Sequence, residues 1–148
     1  MSMEDNKRVV AHFVEVCQNQ HDLAAADAMF HPEFVNHHTP EGRARLPTAR
    51  PAESFQRFYG MFLAAFPDAT MQIEEQIAER DLVVTRKTFR GTHQGDLMGL
   101  PPTGRRVEIG LIDIVRLDGG KVVEHWNAVD NLGMLQQLGA IPAPGATG

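Results

Sequence analysis

Residues 105–130 read RRVEIGLIDIVRLDGGKVVEHWNAVD. Asp118-Gly119-Gly120 stands between two alternating apolar runs, which is a strong hairpin-turn signal. The alternation predicts antiparallel strands over roughly 105–117 and 121–130. Successive side chains of a strand point to opposite faces, so Val107, Ile109, Leu111, Asp113, Val115 and Leu117 share one face. That face is apolar except for Asp113, which is therefore expected to point inward. The opposite face, Arg106, Glu108, Gly110, Ile112, Ile114 and Arg116, is mixed and suits an outer surface or a dimer interface. In the second strand, Val122, Glu124, Trp126, Ala128 and Asp130 take one side, and Val123, His125, Asn127 and Val129 the other.

Working outward, extended patterns continue upstream at roughly 70–79 and 82–92, joined by Glu79-Arg80-Asp81. The stretch GTHQGDLMGLPPTG is too long and too rich in Gly and Pro for a tight turn, and predicts a structured loop bordering a pocket mouth. Before Asp68 the period is helical. Val9, Val10, Phe13, Val14 and Cys17 have the spacing of an amphipathic helix, and Ser2 with Asp5 resembles a capping box at its start. DLAAADAMF reads as a second short helix opened by Asp22 and ended by Pro32, and HPEFVNHH as a short extended piece. Phe55, Phe58, Tyr59, Phe62 and Phe66 form one stripe of a third helix that Pro67 closes. LGMLQQLG is a final helical turn or two, with 140–148 a frayed tail. Helices followed by a four-stranded antiparallel run, plus one early strand, make an α+β domain. A curved sheet closed on one side by helices is a cone, and a cone has an inside.

At 148 residues the chain is expected to be one domain, with a core over about 6–139. Its net charge of −5 lacks the concentrated basic field that binding phosphates needs, so no nucleic-acid partner is expected. Arg43, Arg45 and Arg50 are spread over a loop containing Pro and Gly and read as solvated. No apolar run is long enough for a membrane span, and MSMEDNKRVV lacks the apolar stretch of a secretory signal, which predicts a cytoplasmic protein with no membrane partner. Cys17 alone makes neither an internal disulfide nor a Cys-based zinc site, and reads as core.

The chemistry is sought among polar residues on apolar faces. An acid withdrawn from water is suited to removing and returning a proton near neutral pH, which makes Asp113 and Asp130 candidates. Asp113 equally fits a core acid satisfied by an inward arginine such as Arg86. Asp130 stands where the last strand yields to the final helix, and N-capping accounts for it. The seven histidines show no metal-binding spacing: His37 and His38 are adjacent and point to opposite faces of a strand. His93 reads as a hydrogen-bonder of the long loop or a group at a cavity mouth.

HDLAAADAMFHPEFVNH, FLAAFPDA, GTHQGDLMGLPPTGRRV and GKVVEHWNAVDNLGMLQQLG, in this order, strongly resemble the SnoaL-like polyketide cyclases, or ester cyclases, of the nuclear transport factor 2-like superfamily. The resemblance implies a cone-shaped α+β barrel, a curved sheet around a deep apolar pocket, and a homodimer formed through the sheet. It implies a cofactor-free aldol cyclisation or related enolisation of a hydrophobic small molecule, with Asp130 as acid and base and Asn36 lining the pocket. Family members carry an assisting His on the preceding strand; 105–117 has none, leaving Asp113, His93 or His125 to fill that role. Trp126, Asn36 and a His are the expected donors to a forming oxyanion, with Phe58 and Phe62 against the substrate. Two other readings of the same superfamily stay open: water activation by Asp113, Asp130 and Asn36, as in epoxide hydrolases, and a non-catalytic binding or dimerisation module.

Overall fold

The computed structural model describes residues 1–37 and 50–145. Arg43, Arg45 and His38 lie outside them. Ser2 and Asp5 form a full capping box: the Ser2 hydroxyl accepts from the Asp5 amide at 3.0 Å and the Asp5 carboxylate accepts from the Ser2 amide at 3.2 Å. Helix α1, Met3–Phe13, therefore starts cleanly, and it continues into one wide π-helical turn over Val14–Asn19. The second helical segment is a 3₁₀ helix, Leu23–Ala28, capped by Asp22. It ends before Pro32, which lies inside strand β1, Phe30–Asn36. A proline without an amide proton is tolerated there because β1 is an edge strand whose pairing shifts register between Phe30 and Val35.

Helix α2, Glu53–Ala65, is followed by β2, Thr70–Glu79, β3, Leu82–Thr92, β4, Arg106–Asp118, and β5, Lys121–Val129; α3, Asn131–Gln137, ends the fold. The sheet order is β1-β5-β4-β3-β2, antiparallel except for the β1–β5 pair. Every odd residue of β4 from Val107 to Leu117 is buried, as alternation predicts. Alternation fails once in β5. Arg116 pairs with Glu124 but Leu117 pairs with Val122, so Val123 is an extra residue, a β-bulge. The bulge turns Val122 inward together with His125, Asn127 and Val129, all four of which line the interior.

Phe55, Tyr59 and Phe62 of α2 lie over the inner sheet face, and Phe13 and Phe55 meet with ring centres 4.8 Å apart. The long loop is anchored at its base. His93 is fully buried, accepts the Thr103 amide on Nδ1 at 3.1 Å, and exchanges backbone bonds with Gly104 and Arg105. The Gln94 and Gly95 amides satisfy the last carbonyl of α2, that of Ala65. Gly95 is needed for this approach, since a Cβ there would fall on the Ala64 carbonyl oxygen. Among the described residues, no helix is long and apolar enough to cross a membrane.

Asp68 ties the α2–β2 link to the end of β3: its carboxylate accepts the Thr92 amide and hydroxyl, each at 2.7 Å. The amide bond first, and the hydroxyl second, hold its carboxyl below the usual range. A depressed folded-state pKa contributes stability that is full above the unfolded value of about 3.9 and is lost as pH falls through the folded one. Asp68→Asn is expected to lower stability at pH 7 by about 0.5–1 kcal/mol, the low end because the site is exposed. Urea melts at falling pH should show wild type converging on the variant only in strong acid; a constant gap would contradict the assignment.

Candidate functional site

Between the helices and the inner sheet face lies a cavity of about 130 Å³. Phe13, Phe30, Phe34, Phe55, Phe58 and Phe62 give it apolar walls, and Gln18, Asn36, Lys87, Asp113, His125 and Asn127 supply its polar groups. Most half-buried members of the lining, Phe55, Phe58 and Phe62 on α2, Asn36 on β1, and His125, Asn127 and Val129 on β5, with Phe13 the other, lie along α2 and the β1–β5 edge, which places the more open side there.

Val83, Thr85, Lys87 and Phe89 form the inner face of β3, and Lys87 pairs in register with Leu111. Lys87 is thus diagonal to Asp113 on the same face, within reach of a long side chain. Its Nζ lies 2.5 Å from Asp113 Oδ2 and 3.3 Å from Gln18 Oε1, with the Lys87 and Asp113 side chains only 3% and 6% exposed. The expected inward arginine is corrected by one residue: Arg86 points outward to Glu75 at 3.5 Å, because neighbours on a strand face opposite ways.

Thr85, Asp113 and Asn127 are register partners across three strands, a polar row in the cavity wall and beneath it. Among the described residues, Thr85 Oγ1, Asp113 Oδ1 and Asn127 Oδ1 are buried side-chain atoms without a hydrogen-bond partner; the fourth such atom is His93 Nε2. Native interiors rarely leave polar atoms so, and two of the three belong to residues that line the cavity, Asp113 and Asn127. Beside the row, parallel pairing sets Asn36 opposite His125, and His125 Nδ1 is 3.1 Å from Asn36 Oδ1. Tyr59 donates its hydroxyl to the Gln18 carbonyl at 3.1 Å, and burial raises its phenol well above the ordinary value, so it stays protonated.

Asp113, Asn36, His125, Phe58 and Phe62 are brought together in the cavity lining; Asp130, Trp126 and His93 are not. Asp130 is exposed and caps α3, accepting the Gly133 amide at 2.8 Å. Trp126 lies on the outer face, stacked on His37 with ring centres 4.7 Å apart. Beside it His37 and Glu124 are 2.9 Å apart; the His37 bond, then Arg116, holds the Glu124 carboxyl low despite some desolvation. His93 anchors the long loop, and no residue of 93–104 lines the cavity. Sequence reasoning missed Lys87, Gln18 and Asn127. The signal for Lys87 was present, a lysine on the otherwise apolar or small odd face of β3. Among the described residues, no three His, Cys, Asp or Glu side chains form a metal-binding group.

A mixed sheet wrapped on one side by helices, with a buried acid beside an apolar cavity, defines an α+β cone-fold domain. The family pattern described as SnoaL-like polyketide cyclase matches residues 8–138, and the chain belongs to that family. It is 33% identical over 115 residues to a nogalonic acid methyl ester cyclase of Streptomyces nogalater, 76% of this chain and 82% of that protein. It is 32% identical over 110 residues to the aklanonic acid methyl ester cyclase DnrD of Streptomyces peucetius, 74% of each. Among solved structures, TsrD from Streptomyces laurentii superposes with a TM-score of 0.81 at 28% identity, covering 95% of this chain and 99% of that one. IdmH from Streptomyces antibioticus gives 0.76 at 34% identity, covering 90% and 98%.

Breaking the buried pair from one side strands a charge. Lys87→Met or Asp113→Leu alone is expected to cost about 3–5 kcal/mol, whereas the double variant should recover most of that loss. Urea denaturation of all four proteins checks this, and additive losses would show the pair to be uncoupled.

Proposed function

We propose that the protein is a cofactor-free acid/base enzyme that removes a proton from the carbon next to a carbonyl group, in a polyketide-cyclase-type aldol ring closure or a related enolisation. The observation carrying this reading is Asp113 Oδ1, a buried carboxylate oxygen without a hydrogen-bond partner on a residue that lines an apolar cavity. An acceptor so placed takes the carbon-bound proton, and the electron pair of the C–H bond becomes the enolate. The enolate carbon then attacks a second carbonyl of the same molecule to close the ring. Asn36 and His125 stand beside the row as hydrogen-bonding groups for a substrate oxygen, and the proton held by Asp113 returns to the alkoxide. The methyl ester cyclase relatives support the class of reaction. The cavity is close to the roughly 150 Å³ that holds benzene, so the substrate places about one ring inside it. Asp130, engaged as a cap on the outer side, and the outward Trp126 have no part in this reading.

A homodimer through the outer sheet face is proposed as well. Ile112 is 47% exposed at the middle of β4, a strand with neighbours on both sides in the sheet. Sedimentation at micromolar concentration should give twice the chain mass; a monomer would refute it.

Ketones incubated with the protein in deuterium oxide test the chemistry. Wild type should incorporate deuterium next to the carbonyl, folded Asp113→Asn should do so about 10²–10⁴-fold more slowly, and Asp130→Asn should match wild type. Unchanged exchange in Asp113→Asn would sink the proposal, and epoxide hydrolysis without exchange would establish water activation instead.

A further inference from the structure

We propose that Lys87 is a catalytic residue, the cation that receives the enolate oxygen, and that the buried ion pair changes partner during the reaction. This rests on the proton-transfer reading of the same cavity. Lys87 lines the cavity with its side chain 3% exposed. An ammonium has three N–H donors. Among the described residues Nζ meets the Asp113 carboxylate as an ion pair from the sheet side and donates to Gln18 Oε1 from the helical side, which fixes it between the two layers and leaves at least one N–H to spare. The same pair therefore offers substrate one N–H donor on Lys87 and one acceptor, Oδ1, on Asp113.

Charge conservation gives this arrangement its chemical meaning. Before the step, the ammonium and the carboxylate neutralise each other. When Asp113 Oδ1 takes the proton, a C–H bond breaks, an O–H bond forms, Asp113 becomes neutral and the negative charge passes to the substrate oxygen. Lys87 would then be a buried, unpaired cation, which is strongly unfavourable, unless the new oxyanion takes the place of the carboxylate. The cavity holds no net charge before or after, so no ion has to enter from water or leave. The interaction between Lys87 and the substrate oxygen strengthens as charge develops there, which accelerates the step instead of merely binding substrate. The site should therefore prefer the anions of acidic enols and phenols over their neutral forms.

The probe is 4-nitrophenol, whose anion absorbs at longer wavelength than the neutral phenol. At a pH where the free probe is mostly neutral, wild type should bind it as the anion without a matching release of protons to solvent, because Asp113 takes the proton. Lys87→Met/Asp113→Asn, which removes both charges and strands neither, should bind it neutral, with the ionisation equilibrium of the bound probe at least about tenfold less favourable to the anion. Asp113→Asn alone, where it folds, should bind the anion with proton release and more tightly than wild type. Identical spectra in wild type and the double variant, or no binding to either, would overturn the role of Lys87. Deuterium exchange that depends on Asp113 beside unchanged probe spectra would remove Lys87 and leave the proton transfer standing. Anion uptake that depends on Lys87 without exchange into any ketone would remove the enolisation and leave the anion site.

Discussion

The inner face of β4 has to be kept from water along its whole length. Its residues from Val107 to Leu117 stay within 7% exposure, and no sheet of this size can cover such a face by itself. β3 and β5 flank it with their own inner faces, and α1, the helical turns after it and α2 close over the top with Phe13, Tyr59, Phe62 and Phe66. Other features of the chain serve that closure. Pro67 stops α2 before the sheet begins, Asp68 fastens the link to the end of β3, and the long loop returns to satisfy the helix end. The bulge at Val123 lets β5 contribute Val122 and His125 to the same interior.

Against that requirement, Lys87 and Asp113 are costly residues to place in the middle of the interior. A hydrophobic pair of similar volume is often at least as stable as a buried ion pair. Gln18, drawn from the π-helical turn, reaches down to the ammonium, so the helical layer helps to satisfy the charge. The wide turn and the ion pair are therefore parts of one arrangement. Two hydrophobic clusters that share Phe13 and Phe55 flank it, and the cavity draws its walls from both.

Fold and chemistry are divided differently along the chain. The architecture shared with TsrD and IdmH, at TM-scores of 0.81 and 0.76, follows from apolar alternation, capping and turn residues. A handful of side chains on the inner faces of β3, β4 and β5 sets what the cavity can do, and changing one of them leaves the alternation intact. The outer face of the same strands carries the Arg116–Glu124–His37 and Arg116–Asp81 contacts, which are half-exposed and contribute to surface cohesion rather than to the cavity.

The sequence by itself determined the strands at 70–79 and 82–92 and the hairpin around Gly119-Gly120, because a period of two and a turn that tolerates positive φ are local properties. It also determined that Asp113 faces inward, since no bulge interrupts β4 before Arg116. It marked Asp130 both as a cap and, by resemblance, as a base. Only the tertiary structure put it on the outer side with its carboxylate on the Gly133 amide. Tertiary structure also decided that Lys87, already turned inward by the alternation of β3, meets both Asp113 and Gln18, and that Asn36 reaches His125 across 89 residues. These pairings depend on strand register, on a bulge of one residue and on the placement of a parallel edge strand. Each of them is set by what packs on the far side of the molecule, which a local pattern does not record.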